Sequence, residues 1–256
     1  MNTLHPFLNH PSYPLPLPMA HRGYSARFPE NTMAAFSAAI SLGYKYLETD
    51  VHATSDGKLV AFHDTHLERV TNGQGVIEDL TWNELKKLKV KGTETIPLLE
   101  DILTTWPSVC VLIDPKEDSA VKPLYGVLSR LDVWDRVCVG SFSDQRIAWI
   151  RKEAGAKLCT SMSPKEIRKL RFRSWGLPLK GFGAQCVQAP VKQKWIPILD
   201  RSFINTAHNL GFPVHAWTIN DVVTMEKLLD LNIDAIMTDE AETLKAVFKS
   251  RNIWND

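Results

Sequence analysis

Short apolar runs recur along this chain, and between them apolar residues fall at every third or fourth position. Pro18–His21 is the first such run, closed by Arg22-Gly23. Asn31-Thr32 then offers a helix N-cap, and Met33, Phe36 and Ile40 follow at helical spacing until Gly43 stops the helix. Tyr46–Ala53 reads as the second strand. The next apolar run begins at Leu59, too soon for a parallel crossover, which takes a dozen or more residues. Ser55-Asp56-Gly57 is a turn signal, so Lys58–His63 is expected to return antiparallel. Centring that turn on Asp56 sets His63 opposite Thr49, between Glu48 and Asp50.

Further strands are expected at Val109–Asp114, Val137–Ser141, Lys157–Thr160, Gly183–Gln188, Val214–Trp217 and Ala235–Thr238, with helical stretches between most of them. Thr81-Trp82-Asn83-Glu84 and Ser163-Pro164-Lys165-Glu166 are capping boxes, the second with proline at the first helical position. Val222, Met225, Leu228 and Leu229 follow Asn220-Asp221 with core-facing periodicity. Strands separated by helices in this rhythm predict an α/β fold, a (β/α)8 TIM barrel. Residues 64 to about 95 exceed an ordinary connection and read as a small insertion after the hairpin, over the barrel mouth.

Composition narrows the picture. A chain of 256 residues with 44% hydrophobic content fits one barrel-sized domain, residues 18–256. Residues 1–17 carry Pro6, Pro11, Pro14 and Pro16, with no basic n-region or unbroken apolar stretch, and read as an extended leader. No run approaches a membrane span. The formal net charge of +1 gives no global field for nucleic acid. Cys110, Cys138, Cys159 and Cys186 mostly sit in apolar runs without CxxC spacing, as buried reduced thiols of a cytoplasmic protein do.

Charged chemistry concentrates in 44 residues, from His21-Arg22-Gly23 through Glu48-Thr49-Asp50 to His63-Asp64. Glu48 and Asp50 are two apart, so on a strand both point to one face. Paired carboxylates repel unless a cation lies between them, usually a hard divalent one. Two histidines and an arginine nearby add proton transfer and anion recognition, a set suited to metal-assisted chemistry on a phosphate. His21, Arg22, Glu48, Asp50, Asp114, Lys116 and Trp217 all fall at or just past expected strand ends, where barrels of this kind place their active sites.

These residues, with AHRGYSARFPENTMAAFSAAISLGYKYLETDVHATSDGKLVAFHD, LERVTNGQG, IPLLEDIL, LIDPK, VHAWTIN and NIDAIMTD, resemble the glycerophosphodiester phosphodiesterase family from residue 18 onward. The resemblance implies a TIM barrel that hydrolyses glycerophosphodiesters to sn-glycerol 3-phosphate and an alcohol with one divalent cation, Mg2+ or Ca2+. It matches His21 and His63 to the catalytic acid and base, and Glu48 and Asp50 to metal ligands. Asp114 falls where the family usually has a glutamate ligand, one methylene longer. Arg22 and Lys116 match phosphate-binding cations, and Trp217 a pocket wall.

Several residues have two readings. Glu30 and Asn31 either cap the first helix or touch the metal or its ligands. Phe142 is a weaker candidate for the pocket wall, and His215, on the face of Trp217, a weaker one still. His52 is expected to be a hairpin residue, Asp64 an orienting carboxylate, and Asp239 the cap of the last helix. The basic cluster Lys165, Arg168, Lys169, Arg171 and Arg173 reads as a solvated helix face, with weak peripheral contact to acidic lipid as the minor alternative. Two other functions compete with diester hydrolysis: lysophospholipase D activity on monoacyl lipids, and an inactive barrel used as a binding module. The sequence sets no oligomeric state.

Overall fold

The computed structural model describes residues 4–9 and 15–254. Its strands are β1 (Leu17–His21), β2 (Tyr46–Ala53), β3 (Leu59–Ala61), β4 (Cys110–Pro115), β5 (Val137–Val139), β6 (Cys159–Thr160), β7 (Val187–Ala189), β8 (Lys192–Gln193), β9 (Ile196–Pro197), β10 (Val214–Ala216) and β11 (Ala235–Thr238). Eight of them form one parallel sheet in the order β6-β5-β4-β2-β1-β11-β10-β7, strongly curled and TIM-barrel-like. The edges β6 and β7 meet through a single parallel bridge, Ser161 with Cys186. Met162 N donates to Cys186 O at 2.9 Å beside it.

The α-helices are α1 (Met33–Ser41), α2 (Trp82–Leu85), α3 (Leu99–Thr105), α4 (Val121–Leu131), α5 (Asp144–Ala154), α6 (Pro164–Ser174), α7 (Arg201–Asn209), α8 (Val222–Asp230) and α9 (Ala241–Ser250). Their starts follow local chemistry. The Thr32 hydroxyl accepts from Ala35 N at the head of α1, Asp221 caps α8, and both expected capping boxes form. Asp239 does not cap α9, whose N-cap is Glu240; its carboxylate is used elsewhere, as described below.

Strand parity divides the core. Outward residues such as Val187, Val214 and Ala216 pack under the helices with Phe203, Ile204 and Leu228. Inward residues of the floor, among them Leu17, Met19, Tyr46, Leu112 and Met237, form a separate cluster. Pro6–Leu8 make a 3-10 turn whose Phe7 and Leu8 join that floor. The Tyr46 hydroxyl donates to Phe7 O at 2.7 Å, so this part of the proline-rich leader seals the barrel bottom. Residues 1–3 and 10–14 of the expected leader lie outside the described residues.

The hairpin keeps the expected register. Val51 pairs with Ala61 and Ala53 with Leu59, which sets His63 across from Thr49, although the strand itself ends at Ala61. After it, residues 64–95 build a small core of their own, with Leu67, Val70, Ile77, Leu85 and Val90 buried against Val60 and Phe62. Two short strands, β8 and β9, follow β7 as an exposed hairpin. No helix among the described residues is long and apolar enough to cross a membrane.

Candidate active site

Parallel register gathers the site. His21 pairs with Glu48 across β1 and β2, and Asp50 pairs with Asp114 across β2 and β4. Glu48 and Asp50, two apart, share the inner face and are both buried. Immediately after β1 the chain turns sharply, with Arg22 and Gly23 in the left-handed region. A Cβ on Gly23 would lie 2.6 Å from the Ala35 carbonyl carbon, so α1 leaves room for nothing larger than glycine. The turn lets Arg22 N donate to Glu48 O at 3.0 Å and to Glu48 Oε2 at 3.2 Å.

Both candidate catalytic histidines are held through Nδ1. That of His21 is 2.7 Å from Asp239 Oδ1, and that of His63 is 2.6 Å from Asp64 Oδ1. Each arrangement leaves Nε2 for chemistry; in His21 it lies 3.7 Å from Glu48 Oε2. Burial works against a charged His21, but Glu48 and Asp239 outweigh it and raise its pKa. His52, buried on β2, sets Nε2 3.2 Å from the His63 carbonyl and fixes the backbone there.

The three carboxylates are packed around two cations. Lys116 Nζ bridges Asp50 Oδ1 at 2.6 Å and Asp114 Oδ2 at 2.9 Å. Arg22 donates to Glu30 Oε1 at 2.9 Å, while its Nε lies 3.0 Å from Asp50 Oδ2 without a hydrogen-bond geometry. Burial alone would raise Asp50, yet Lys116 and Arg22 hold it below the ordinary aspartate value. Glu48 is pushed up to about 7 by burial and by Asp50. Burial likewise lifts Asp114 to about 6, and its Oδ1 is buried without a hydrogen-bond partner. The pocket therefore holds more buried carboxylate than its own cations neutralise. That surplus, offered by oxygen donors alone, fits a hard divalent ion.

Asn31 touches an expected metal ligand, whereas Glu30 contacts arginines instead. Asn31 Nδ2 donates to Asp50 Oδ2 at 3.1 Å, and Asn31 Oδ1 accepts from the Thr49 hydroxyl at 2.8 Å. Glu30 joins Arg22 to Arg69, whose guanidinium donates to both its oxygens at 2.9 and 2.7 Å. Beside Lys116, the Phe142 ring stands edge-on to Trp217 at 5.4 Å, with Lys116 Nζ 5.8 Å from the Phe142 centroid.

Four supporting residues, Arg69, Asp239, Asn220 and Ser25, escaped the sequence reading. Arg69 binds both Asp64, which holds His63, and Glu30, so it ties residues 64–95 to the loop after β1. Asp239 follows β11, and since Ala20 pairs with Thr238, it arrives beside His21. Asn220 Nδ2 then donates to Asp239 Oδ2 at 2.7 Å, and the Ser25 hydroxyl to Oδ1 at 2.8 Å. The signal existed: in any closed barrel the last strand's end lies next to the first. The basic cluster on α6 also needs correcting at one position. Arg171 is buried and paired with Asp200 at 2.8 Å rather than solvated.

The family model of glycerophosphoryl diester phosphodiesterases matches residues 21–243. The Mycobacterium tuberculosis protein named Probable glycerophosphodiester phosphodiesterase 2 is 34% identical over 249 residues, covering 93% of this chain and 92% of that one. Among solved structures, a Silicibacter pomeroyi protein named Putative glycerophosphoryl diester phosphodiesterase superposes with a TM-score of 0.82 at 20% identity, covering 98% of this chain and all of that one. An Oleispira antarctica phosphodiesterase in complex with its product sn-glycerol-3-phosphate gives 0.75 at 24% identity, covering 92% and 97%. Fold, family model and relatives agree: this chain belongs to the glycerophosphoryl diester phosphodiesterase family and is a phosphodiester hydrolase.

Proposed function

We propose that the chain hydrolyses glycerophosphodiesters to sn-glycerol 3-phosphate and a free alcohol, with Glu48, Asp50 and Asp114 holding one Mg2+ or Ca2+ ion. The reading rests on one observation: two carboxylate-held histidines flank a buried, under-neutralised carboxylate cluster at the carboxyl ends of β1, β2 and β4. When bound, the cation supplies stabilisation of the charge that gathers on the phosphoryl oxygens.

The chain's own residues do the rest. Arg22 and Lys116, now turned on the carboxylates, contribute positive charge to the phosphate beside them. His21, kept prone to protonation by Glu48 and Asp239, suits the role of acid toward the leaving alkoxide. His63 then takes the proton of the nucleophile, which is either water or a neighbouring hydroxyl of the glycerol itself. Phe142 and Trp217 wall the glycerol side. The alcohol side extends toward residues 64–95 and the β8–β9 hairpin carrying Lys192, Lys194 and Trp195. Trp195 at the tip is 96% exposed, which leaves the alcohol group unenclosed and its identity broadly tolerated. Free, buried cysteines suit a reducing cytoplasm, the location we assign.

Substrate comparison tests this reading. Glycerophosphoethanolamine is expected to exceed bis(p-nitrophenyl) phosphate in kcat/KM, because the glycerol supplies binding energy that orients the phosphorus. Equal values would indicate a generic phosphodiesterase. A strong preference for lysophosphatidylcholine over both would favour the lipid-directed activity instead.

A further inference from the structure

The barrel floor carries a second cluster of ligating side chains, of different chemistry from the carboxylates at the mouth. Cys138 on β5, Cys159 on β6 and Cys186 just before β7 are fully buried, and their sulfurs lie within 4.8 Å of one another. Cys138 Sγ and Cys186 Sγ are 4.0 Å apart. The topology forces this meeting. Cys138 and Cys159 are register partners, and Cys186 is bridged to Ser161, two residues beyond Cys159 on the same face. Among the described residues, no other group of three or more histidine, cysteine or carboxylate ligands is gathered so tightly.

His215 reaches the same interior from β10. Its neighbours Val214 and Ala216 pack outward under the helices, so the ring turns inward. Its register partner is Gln188, two residues beyond Cys186. The ring is fully buried, and neither nitrogen has a hydrogen-bond partner. Buried polar groups are rarely left unsatisfied, so an imidazole with both nitrogens orphaned is open to a ligand.

We propose that Cys138, Cys159, Cys186 and His215 bind one zinc ion in a closed structural site beneath the active site. Tetrahedral zinc, with Zn–S bonds of ~2.3 Å, spaces its sulfurs about 3.8 Å apart, so the three sulfurs need to contract only slightly, whereas the His215 ring, outside their 4.8 Å group, has to move toward them to bind. Three Zn–S bonds replace three S–H bonds and release three protons, while one nitrogen of neutral His215 donates its lone pair as the fourth ligand. The placement has a mechanical meaning. Cys159 and Cys186 stand on either side of the β6–β7 seam, where the sheet is otherwise closed by one bridge. The metal would staple that seam and extend the tie to β5 and β10. Sulfur-rich donors under an apolar shell of Met19, Tyr46, Leu112 and Met237 select a thiophilic ion and reject the hard cation of the mouth.

Metal analysis of the purified full-length chain after dialysis against EDTA tests the site. About one zinc per chain is expected to survive and to be released by a mercurial in step with three thiols. Chain refolded with Co2+ is expected to show thiolate-to-cobalt charge-transfer absorption. Cys159→Ala and His215→Ala should each lose the retained zinc, and Cys110→Ala, whose sulfur lies in the same floor outside the triad, should keep it. If Cys159→Ala fails to fold, His215→Ala and the cobalt spectrum of the parent chain decide. A folded parent chain that holds no zinc after refolding with Zn2+, gives no thiolate-to-cobalt band and yields all its thiols unprotected on unfolding overturns the proposal. Full zinc retention in the folded Cys159→Ala or His215→Ala chain overturns it equally.

Discussion

His21 and His63 each surrender Nδ1 to an aspartate, and at the scale of single residues this arrangement sets the expected mutational behaviour. His21→Ala and His63→Ala should each lower turnover by ~10²- to 10⁴-fold, the usual loss for an acid or base. Their thermal midpoints should move by less than about 4 °C, the shift that ~1 kcal/mol produces in a chain of this size. Near-normal activity of either variant would remove that histidine from the mechanism. Asp239→Asn keeps the shape but not the charge that orients His21. It is expected to lower kcat by roughly 10- to 100-fold, less than loss of the histidine itself, with KM nearly unchanged. A rise in KM at constant kcat would instead make Asp239 a binding residue. The sequence made His21, His63, Glu48 and Asp50 readable because they are close together along the chain and alternate with strand parity. Asp239 was not readable as a site residue, because its partner His21 lies 218 positions away and only barrel closure brings the two together, and Asn220 joins the site only through its bond to Asp239.

Elements show where local pattern suffices and where it fails. The β2–β3 register followed from one turn signal, since a hairpin centre fixes every pair beyond it. Boundaries were less legible: β6 and β7 are shorter than their apolar runs, and only one bridge joins them. The 3-10 turn at Pro6–Leu8 hid inside a proline-rich stretch, whose composition says nothing of the hydrophobic floor waiting for Phe7. Phe7→Ala should destabilise the chain by ~3–5 kcal/mol, as aromatic truncations in a core do. Urea denaturation measures this, and a loss below about 1 kcal/mol would mean the turn is not part of the folded floor.

The segment 64–95 supplies a pH test. Arg69 holds Asp64 at about 2, with further help from His63. Because that folded-state value is depressed, the contribution is complete above the unfolded value of ~3.9 and fades as pH falls through about 2. Parent and Arg69→Ala chains should therefore differ in unfolding midpoint near neutrality and converge in acid. A gap that persists unchanged at the lowest pH would assign Arg69 a packing role rather than an ionic one.

For the whole molecule, eight apolar runs separated by helical periods were enough to anticipate the parallel, barrel-like sheet, because strand parity and the carboxyl-end rule operate at every repeat. What the linear chain concealed were contacts assembled one residue per strand: the Asp239–His21 pair and the thiol cluster of the floor, neither of which leaves a local spacing motif. The central claim is that a hard divalent ion at the mouth works with the histidine pair on a glycerophosphodiester. Its most direct test is phosphorus NMR of glycerophosphoethanolamine incubated with the purified chain, before and after exhaustive chelation. The account predicts sn-glycerol 3-phosphate as product, formation stopped by the chelator, and recovery on adding Mg2+ or Ca2+. Hydrolysis that continues unchanged after chelation, or no glycerol phosphate under any metal condition, would contradict it.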